Sequence, residues 1–107
     1  MRFSYKDEQI RLICEDSDEA QVKLGTAVAF ALLSRLFDLQ AAVTIADLIV
    51  GNPEPVVGKP YSTFKVDLAE NIKLFFRADH STRKPPMSAS GDIDWPNVNY
   101  VQIIEIR

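Results

Sequence analysis

The pattern of apolar positions at the start of the chain predicts a short strand followed by a helix. The stretch MRFSYK alternates and carries two aromatic residues, which is typical of a strand. Asp7 stands where a helix N-cap is expected, because its carboxylate can accept a hydrogen bond from a free backbone N–H. The residues after it place Ile10, Ile13 and Cys14 at i, i+3 and i+4, on one side of a helix.

The clearest helical signal covers roughly residues 18–42. Either Ser17 or Asp18 can cap this helix. Gly25 lies inside it and costs about 1 kcal/mol relative to Ala, so we expect a local weakness within one continuous helix. The broad apolar stripe of this helix, which should face the core, consists of Val22, Ala29, Leu32, Leu33, Leu36, Phe37 and Leu39.

The second half of the chain changes to turn residues and to a period of two. Residues 43–60 are predicted to be a loop region, because four prolines or glycines fall within 51–58 alone. Residues 64–80, FKVDLAENIKLFFRADH, predict a hairpin that turns near AEN. The segment STRKPPMSASGDID predicts a polar connection, and NYVQIIEI predicts the last strand.

Alternation divides the side chains of the hairpin between two faces of a sheet. One is an ordinary core face, composed of Phe64, Val66, Leu68, Ile72, Leu74 and Phe76. The other mixes cations with an aromatic residue and is composed of Lys65, Asp67, Lys73, Phe75 and Arg77. Such a face is either a solvated sheet surface or a surface that holds a polyanion. In both cases we expect the ring of Phe75 to be shielded from solvent. The 81–96 loop with Trp95, a partner protein or a stacked base could cover it.

These elements predict an α+β domain of residues 1–107, with two N-terminal helices packed on a small antiparallel sheet. The last strand must pair either beside the first strand or beside the hairpin. The pattern of residues does not choose between the two.

Composition narrows the class of protein. The chain has 107 residues, of which 47% are hydrophobic and 25% charged, as in an average globular domain. A single cysteine, Cys14, excludes an internal disulfide, and the missing signal-peptide pattern favours a cytoplasmic protein. The longest apolar stretch, Ala27–Leu33, is far too short to span a membrane. One Cys and one His do not support a metal site, and no cofactor is expected.

The charge of the chain is unevenly distributed. A net charge of −3 argues against a dedicated nucleic-acid binder, which is usually basic. However, residues 57–84 hold six basic and three acidic side chains. The hairpin is therefore a cationic patch on an acidic chain, and local patches can steer ligands against an unfavourable total charge.

Two segments resemble one known family. The run FKVDLAENIKLFF is similar to the V-D-L, short turn and N-x-R-L-x-F of the RelE/ParE toxin superfamily, above all to its HigB-like branch of plasmid-maintenance killer proteins. The run GDIDWPNVNYVQIIEI resembles the closing segment of that branch, in which I-D-W-x-x-V precedes the last strand. The resemblance implies a βααβββ fold and a toxin neutralised by a cognate antitoxin, a helix-turn-helix protein from the adjacent gene. It also implies a ribosome-dependent mRNA interferase, an endoribonuclease that cuts mRNA in the ribosomal A site.

The resemblance also assigns candidate site residues. Lys73 stands where the family usually has Arg, and Arg77 stands where this branch often has a carboxylate. Glu54 is the best match to a histidine upstream of the hairpin and would act as a proton acceptor. These three residues are the candidate catalytic residues. The candidate RNA contacts are Lys59, Lys65 and Phe75.

Two hypotheses about function follow. In the first, the chain is an mRNA interferase by descent, with its nuclease activity intact, weakened or lost. In the second, it is a non-catalytic member of the fold that sequesters an antitoxin or inhibits a protein target such as gyrase. The cationic hairpin favours the first. Glu54 at the usual histidine position and EIR where the branch has D-Y-H favour the second.

Overall fold

The computed structural model describes residues 1–56, 63–80 and 85–107. These residues form an α+β fold with three α-helices and a five-stranded sheet, as expected for the class. None of the described helices is both long and apolar enough to cross a membrane. The elements in chain order are β1 (Arg2–Tyr5), α1 (Glu8–Glu15), α2 (Ser17–Leu24), α3 (Thr26–Ala41), β2 (Glu54–Val56), β3 (Thr63–Asp67), β4 (Lys73–Ala78) and β5 (Tyr100–Ile106).

The prediction of one long second helix is wrong, because the chain breaks at Gly25. Its φ of 83° is in the region that favours glycine, so α2 ends there and α3 starts in a new direction. The predicted cap of α1 is confirmed, since Asp7 Oδ1 accepts a hydrogen bond of 2.9 Å from the backbone N–H of Ile10. The cap of α2 is neither Ser17 nor Asp18, because Asp16 caps that helix with its own carboxylate.

The sheet is mixed, in the order β1-β5-β4-β3-β2, so the prediction of a purely antiparallel sheet is also wrong. The last strand takes both of its possible places: β5 pairs in parallel with β1 and antiparallel with β4. Parallel pairing is possible because the helices give β1 a long connection back to the sheet. The prediction of a loop over residues 43–60, made from its prolines and glycines, is wrong for Glu54–Val56, which form the edge strand β2. This strand has only three residues, and its Pro55 is tolerated because it lies at a sheet edge.

The hairpin forms as predicted. Strands β3 and β4 pair antiparallel with Val66 opposite Leu74, and Ile72 N–H donates a 2.9 Å hydrogen bond to the carbonyl of Ala69 across the turn. Glu70 and Asn71 in this turn both have positive φ. The alternation of faces therefore holds as expected along the two paired strands.

The helices lie on one face of the sheet, and α3 provides the centre of the core. Its buried leucines join a cluster with sheet residues and with Trp95, whose ring centroid lies 5.0 Å from that of Phe64. The members of the core on α3 and the sheet are Leu32, Leu36, Leu39, Phe64, Val66, Leu74, Phe76, Val101 and Ile103. Part of the predicted apolar stripe is absent from it, since Val22, Leu33 and Phe37 are exposed. We call the face of the sheet opposite the helices, with Lys65, Lys73, Phe75 and Arg77, the outer sheet face.

Candidate functional site

Four of the six candidate site residues meet on the outer sheet face. Glu54, Lys65, Lys73 and Phe75 line one open cavity of ≈ 610 Å³. Strand pairing explains this, because β2, β3 and β4 are neighbours and Glu54 lies opposite Lys65, which lies opposite Phe75. Arg107, at the end of β5, completes the wall of the cavity.

Lys65 is the buried charge of this cavity. The residue is only 5% exposed, and its ammonium group contacts two carboxylates, Asp67 Oδ1 at 2.8 Å and Glu54 Oε1 at 3.1 Å. Burial lowers the pKa of Lys65, but the hydrogen bonds and charges of Asp67 and Glu54 outweigh it and raise the pKa above its ordinary value. Lys65 is therefore a fixed cation at neutral pH and cannot act as a proton acceptor.

Phe75 is covered by Arg107. The guanidinium carbon of Arg107 lies 4.5 Å from the centroid of the Phe75 ring, which is a cation–π arrangement. A shift of register between β4 and β5 places Glu105 opposite Phe75, and Glu105 pairs with Arg107 at 2.6 Å. Trp95, one of the covers expected for Phe75, instead packs on Phe64 in the core.

Lys73 differs from the other cations of the cavity. It begins β4, and its backbone exchanges two hydrogen bonds of 3.0 Å with that of Arg107. Its side chain is half-buried, and its ammonium group forms no ion pair with any residue within 1–56, 63–80 and 85–107. Of the candidate cations that the structure describes, Lys73 is thus the one most available to an anionic ligand.

Arg77 does not join this group. Arg77 lies further along β4, outside the cavity, and its Nε donates a 2.9 Å hydrogen bond to Oε1 of Gln102 on β5. Lys59 lies outside the described residues, so its predicted contact with RNA stays a prediction.

Two contributors to the site were missed from the sequence. Arg107 reaches Phe75 only because β5 pairs with β4, and the pattern of residues left that pairing open. Asp67 was placed on the correct face, and its spacing of two residues from Lys65 on one strand was the available signal for an ion pair.

The arrangement combines a carboxylate, cations and an aromatic ring in a space open to solvent. Glu54 is half-exposed and could accept a proton from a bound hydroxyl, while Lys73 and Arg107 could balance negative charge on a phosphate. No group of three or more His, Cys, Asp or Glu side chains suited to a metal ion occurs among the described residues.

Comparisons with known proteins leave the family open. No protein-family model, no curated protein and no solved structure matches this chain.

Proposed function

We propose that this chain is the toxin component of a type II toxin–antitoxin system, with a RelE/HigB-like fold, and that its outer sheet face cleaves mRNA on the ribosome. The observation that carries the proposal is the cavity itself. Glu54, Lys65 and Lys73, which the family resemblance selected from sequence, come together with Phe75, which strand alternation placed on the same face. If these residues were scattered over the surface, they could not form one catalytic site.

Metal-free cleavage of RNA requires a base that removes a proton from the 2′-hydroxyl and cations that stabilise the negative charge of the phosphorane. The ribose 2′-hydroxyl loses its proton to Glu54 and attacks the adjacent phosphorus, forming a 2′,3′-cyclic phosphate, while the 5′-oxygen of the next nucleotide leaves and takes a proton from solvent. Lys73 and Arg107 stabilise the extra negative charge on the phosphorane. Lys65 holds the Glu54 carboxylate in place with a contact of 3.1 Å.

The recognition of RNA extends along β4. Lys73 and Arg77 share a strand face and lie four residues apart, about 13 Å at 3.3 Å per residue. That distance spans about two phosphates of a single strand. Arg77 would exchange its hydrogen bond with Gln102 for the second phosphate.

The first experiment removes the base and keeps its shape. Glu54→Gln should lower the rate of mRNA cleavage on purified ribosomes by about 10²–10⁴-fold without weakening ribosome binding. The matched control is Glu8→Gln, which changes an exposed carboxylate on α1, outside the cavity lining. Cleavage by Glu54→Gln at the parental rate would refute a catalytic role for this carboxylate.

A second experiment tests the phosphate contacts. Lys73→Ala with Arg77→Ala should weaken RNA binding at low salt and reduce the slope of log affinity against log salt by roughly 0.7 per contact. Lys23→Ala, an exposed lysine on α2, is the control for charge alone. Binding that is equal for the parent and the double variant at every salt concentration would make the outer sheet face a plain solvated surface.

A second candidate function is non-catalytic binding, in which the chain sequesters an antitoxin or inhibits a protein target. One observation favours it: three cations of the outer sheet face already have partners, Lys65 with two carboxylates, Arg107 with Glu105 and Arg77 with Gln102. In this case induced expression should arrest growth without mRNA cleavage, and Glu54→Gln should arrest growth equally well. Under both functions the product of the adjacent gene should co-purify with the chain and restore growth.

A further inference from the structure

One side of α3 is apolar and turned to solvent. Phe30 is 72% exposed, Phe37 is 61% exposed and Leu33 is 47% exposed, although each is a large apolar side chain. The exposed residues of this helix are all uncharged: Thr26, Ala27, Phe30, Leu33, Phe37, Gln40 and Ala41. Its two charged residues, Arg35 and Asp38, pair with each other at 2.8 Å. This is an unusual surface for a solvent-facing helix, which normally carries charges.

The exposed residues are arranged symmetrically about the middle of the helix, between Leu33 and Ser34. At 100° per residue, Phe30 and Phe37 point in nearly the same direction, and each is about 5 Å along the axis from that midpoint. Thr26 and Ala41 are related in the same way, one turn further out on each side. When two such helices pack antiparallel about a two-fold axis at the midpoint, Phe30 of one copy lies opposite Phe37 of the other.

The residues next to the axis suit a close approach. In such a dimer, Leu33 would contact Leu33 of the other copy on one side of the two-fold axis. Ser34 would contact Ser34 of the other copy on the opposite side. Ser34 is small, and its hydroxyl already donates to the carbonyl of Phe30 at 3.2 Å, so burying it leaves no unsatisfied donor. We propose that the exposed face of α3 is the contact surface of a two-fold homodimer, in which the helices pack antiparallel around Leu33 and Ser34.

The available area is sufficient for a weak dimer. At roughly 200 Å² for a whole aromatic side chain, Phe30, Phe37 and Leu33 offer about 350 Å² of exposed surface per copy. The small uncharged residues around them bring the interface to about 1,000 Å² for the two copies together. That is the lower limit for a specific interface, so we expect a dissociation constant in the micromolar range or weaker.

The charges of the chain give a homodimer a salt dependence that distinguishes it from a complex with a charged partner. The α3 face brings no like charges together at the axis, whereas each copy carries a net charge of −3 that repels the other at long range. Added salt should therefore strengthen the dimer. A basic partner helix attracted by the acidic chain would show the opposite dependence.

Crosslinking tests the predicted axis directly. In a Cys14→Ser background, Ser34→Cys should form an intermolecular disulfide under mild oxidation, because the two copies of residue 34 meet at the axis. Ser90→Cys, the same substitution in an exposed turn outside α3, should remain uncrosslinked at the same concentration. Mixing Phe30→Cys with Phe37→Cys should give the mixed disulfide in excess over either self-disulfide, as antiparallel packing requires.

Sedimentation equilibrium tests the energetics. Phe37→Asp should raise the dissociation constant of the dimer at least about 100-fold, since two aromatic contacts are lost per dimer. The melting temperature of the monomer at low concentration should be unchanged, because Phe37 is outside the core.

A parent chain that is monomeric up to millimolar concentration would overturn the proposal. Equal crosslinking of Ser34→Cys and Ser90→Cys, or self-disulfides of Phe30→Cys in excess, would overturn the antiparallel axis. The proposal does not depend on the proposed function, because RNA cleavage and dimer mass are measured separately.

Discussion

Removing both carboxylates around Lys65 should destabilise the protein more than removing the lysine itself. The reason is a difference in burial. Lys65 is 5% exposed, whereas the side chains of Glu54 and Asp67 are 55% and 40% exposed. Without its partners the ammonium group stays in a site poor in water, while the carboxylates without Lys65 can still be hydrated.

The magnitude follows from the position of Lys65 in the sheet. Breaking a fully buried ion pair costs about 3–5 kcal/mol, and an exposed pair contributes about 0–1 kcal/mol. Lys65 lies between these limits, because side chains of the outer sheet face cover it and the described helices lie on the other face. We therefore expect Glu54→Ala with Asp67→Ala to cost about 2 kcal/mol. Lys65→Met should cost less than about 1 kcal/mol.

Urea unfolding followed by circular dichroism measures this difference. With a slope near 1.5 kcal/mol per M, a loss of 2 kcal/mol lowers the midpoint by roughly 1.3 M. Glu105→Ala is the control, because it breaks the exposed pair with Arg107 and should change the midpoint little.

The pH dependence gives an independent check on the same variant. In the parent the pKa of Lys65 is raised above its ordinary value of 10.5, so its stabilisation is complete below that pH and is lost only as pH rises through the folded pKa. Without Glu54 and Asp67 only burial remains, which lowers the folded pKa below that of the unfolded chain. The stability of the double variant relative to the parent should then rise as the pH increases towards 10.5, the ordinary pKa of a lysine. A constant difference over that range, or a larger cost for Lys65→Met than for the double variant, would refute this account of Lys65.

Three further predictions concern the helices, the turns and the cysteine. Leu32→Asp should unfold the protein, since Leu32 is 1% exposed, whereas Leu33→Asp should change the melting temperature little. Gly51→Ala should destabilise more than Gly25→Ala in urea unfolding, because both have positive φ but a Cβ at Gly51 would lie 2.9 Å from a backbone oxygen. Burial first, and then the charge of a neighbouring glutamate, raise the pKa of Cys14 to about 12. Its reaction with a disulfide reagent at pH 8 should be slow in the folded chain and fast in urea, and equal rates would contradict its burial.

The sequence alone determined the features that depend on neighbours along the chain. The cap at Asp7, the hairpin with its AEN turn and the core face of Phe64, Val66, Leu74 and Phe76 were all predicted and all form. Local geometry is sufficient for these, because a strand alternates its side chains and a cap bonds within its own helix. The α+β class follows from the same local signals.

The tertiary structure decided everything that depends on which elements become neighbours. The helical period groups Leu32 with Leu33, but only the direction of α3 after the break at Gly25 makes the first buried and the second exposed. The ion pair of Lys65 with Glu54 exists because a three-residue edge strand pairs with β3, and that strand has no signal of its own around Pro55.

The candidate site shows the same division. Alternation placed Lys65, Lys73 and Phe75 on one face, and this is a property of single strands. The cover of Phe75 by Arg107 comes from the pairing of β4 with β5 and from its shift of register, which brings together residues 32 positions apart in the chain. Contacts of this kind are determined by the free energy of packing the whole chain, because no local period relates the two residues.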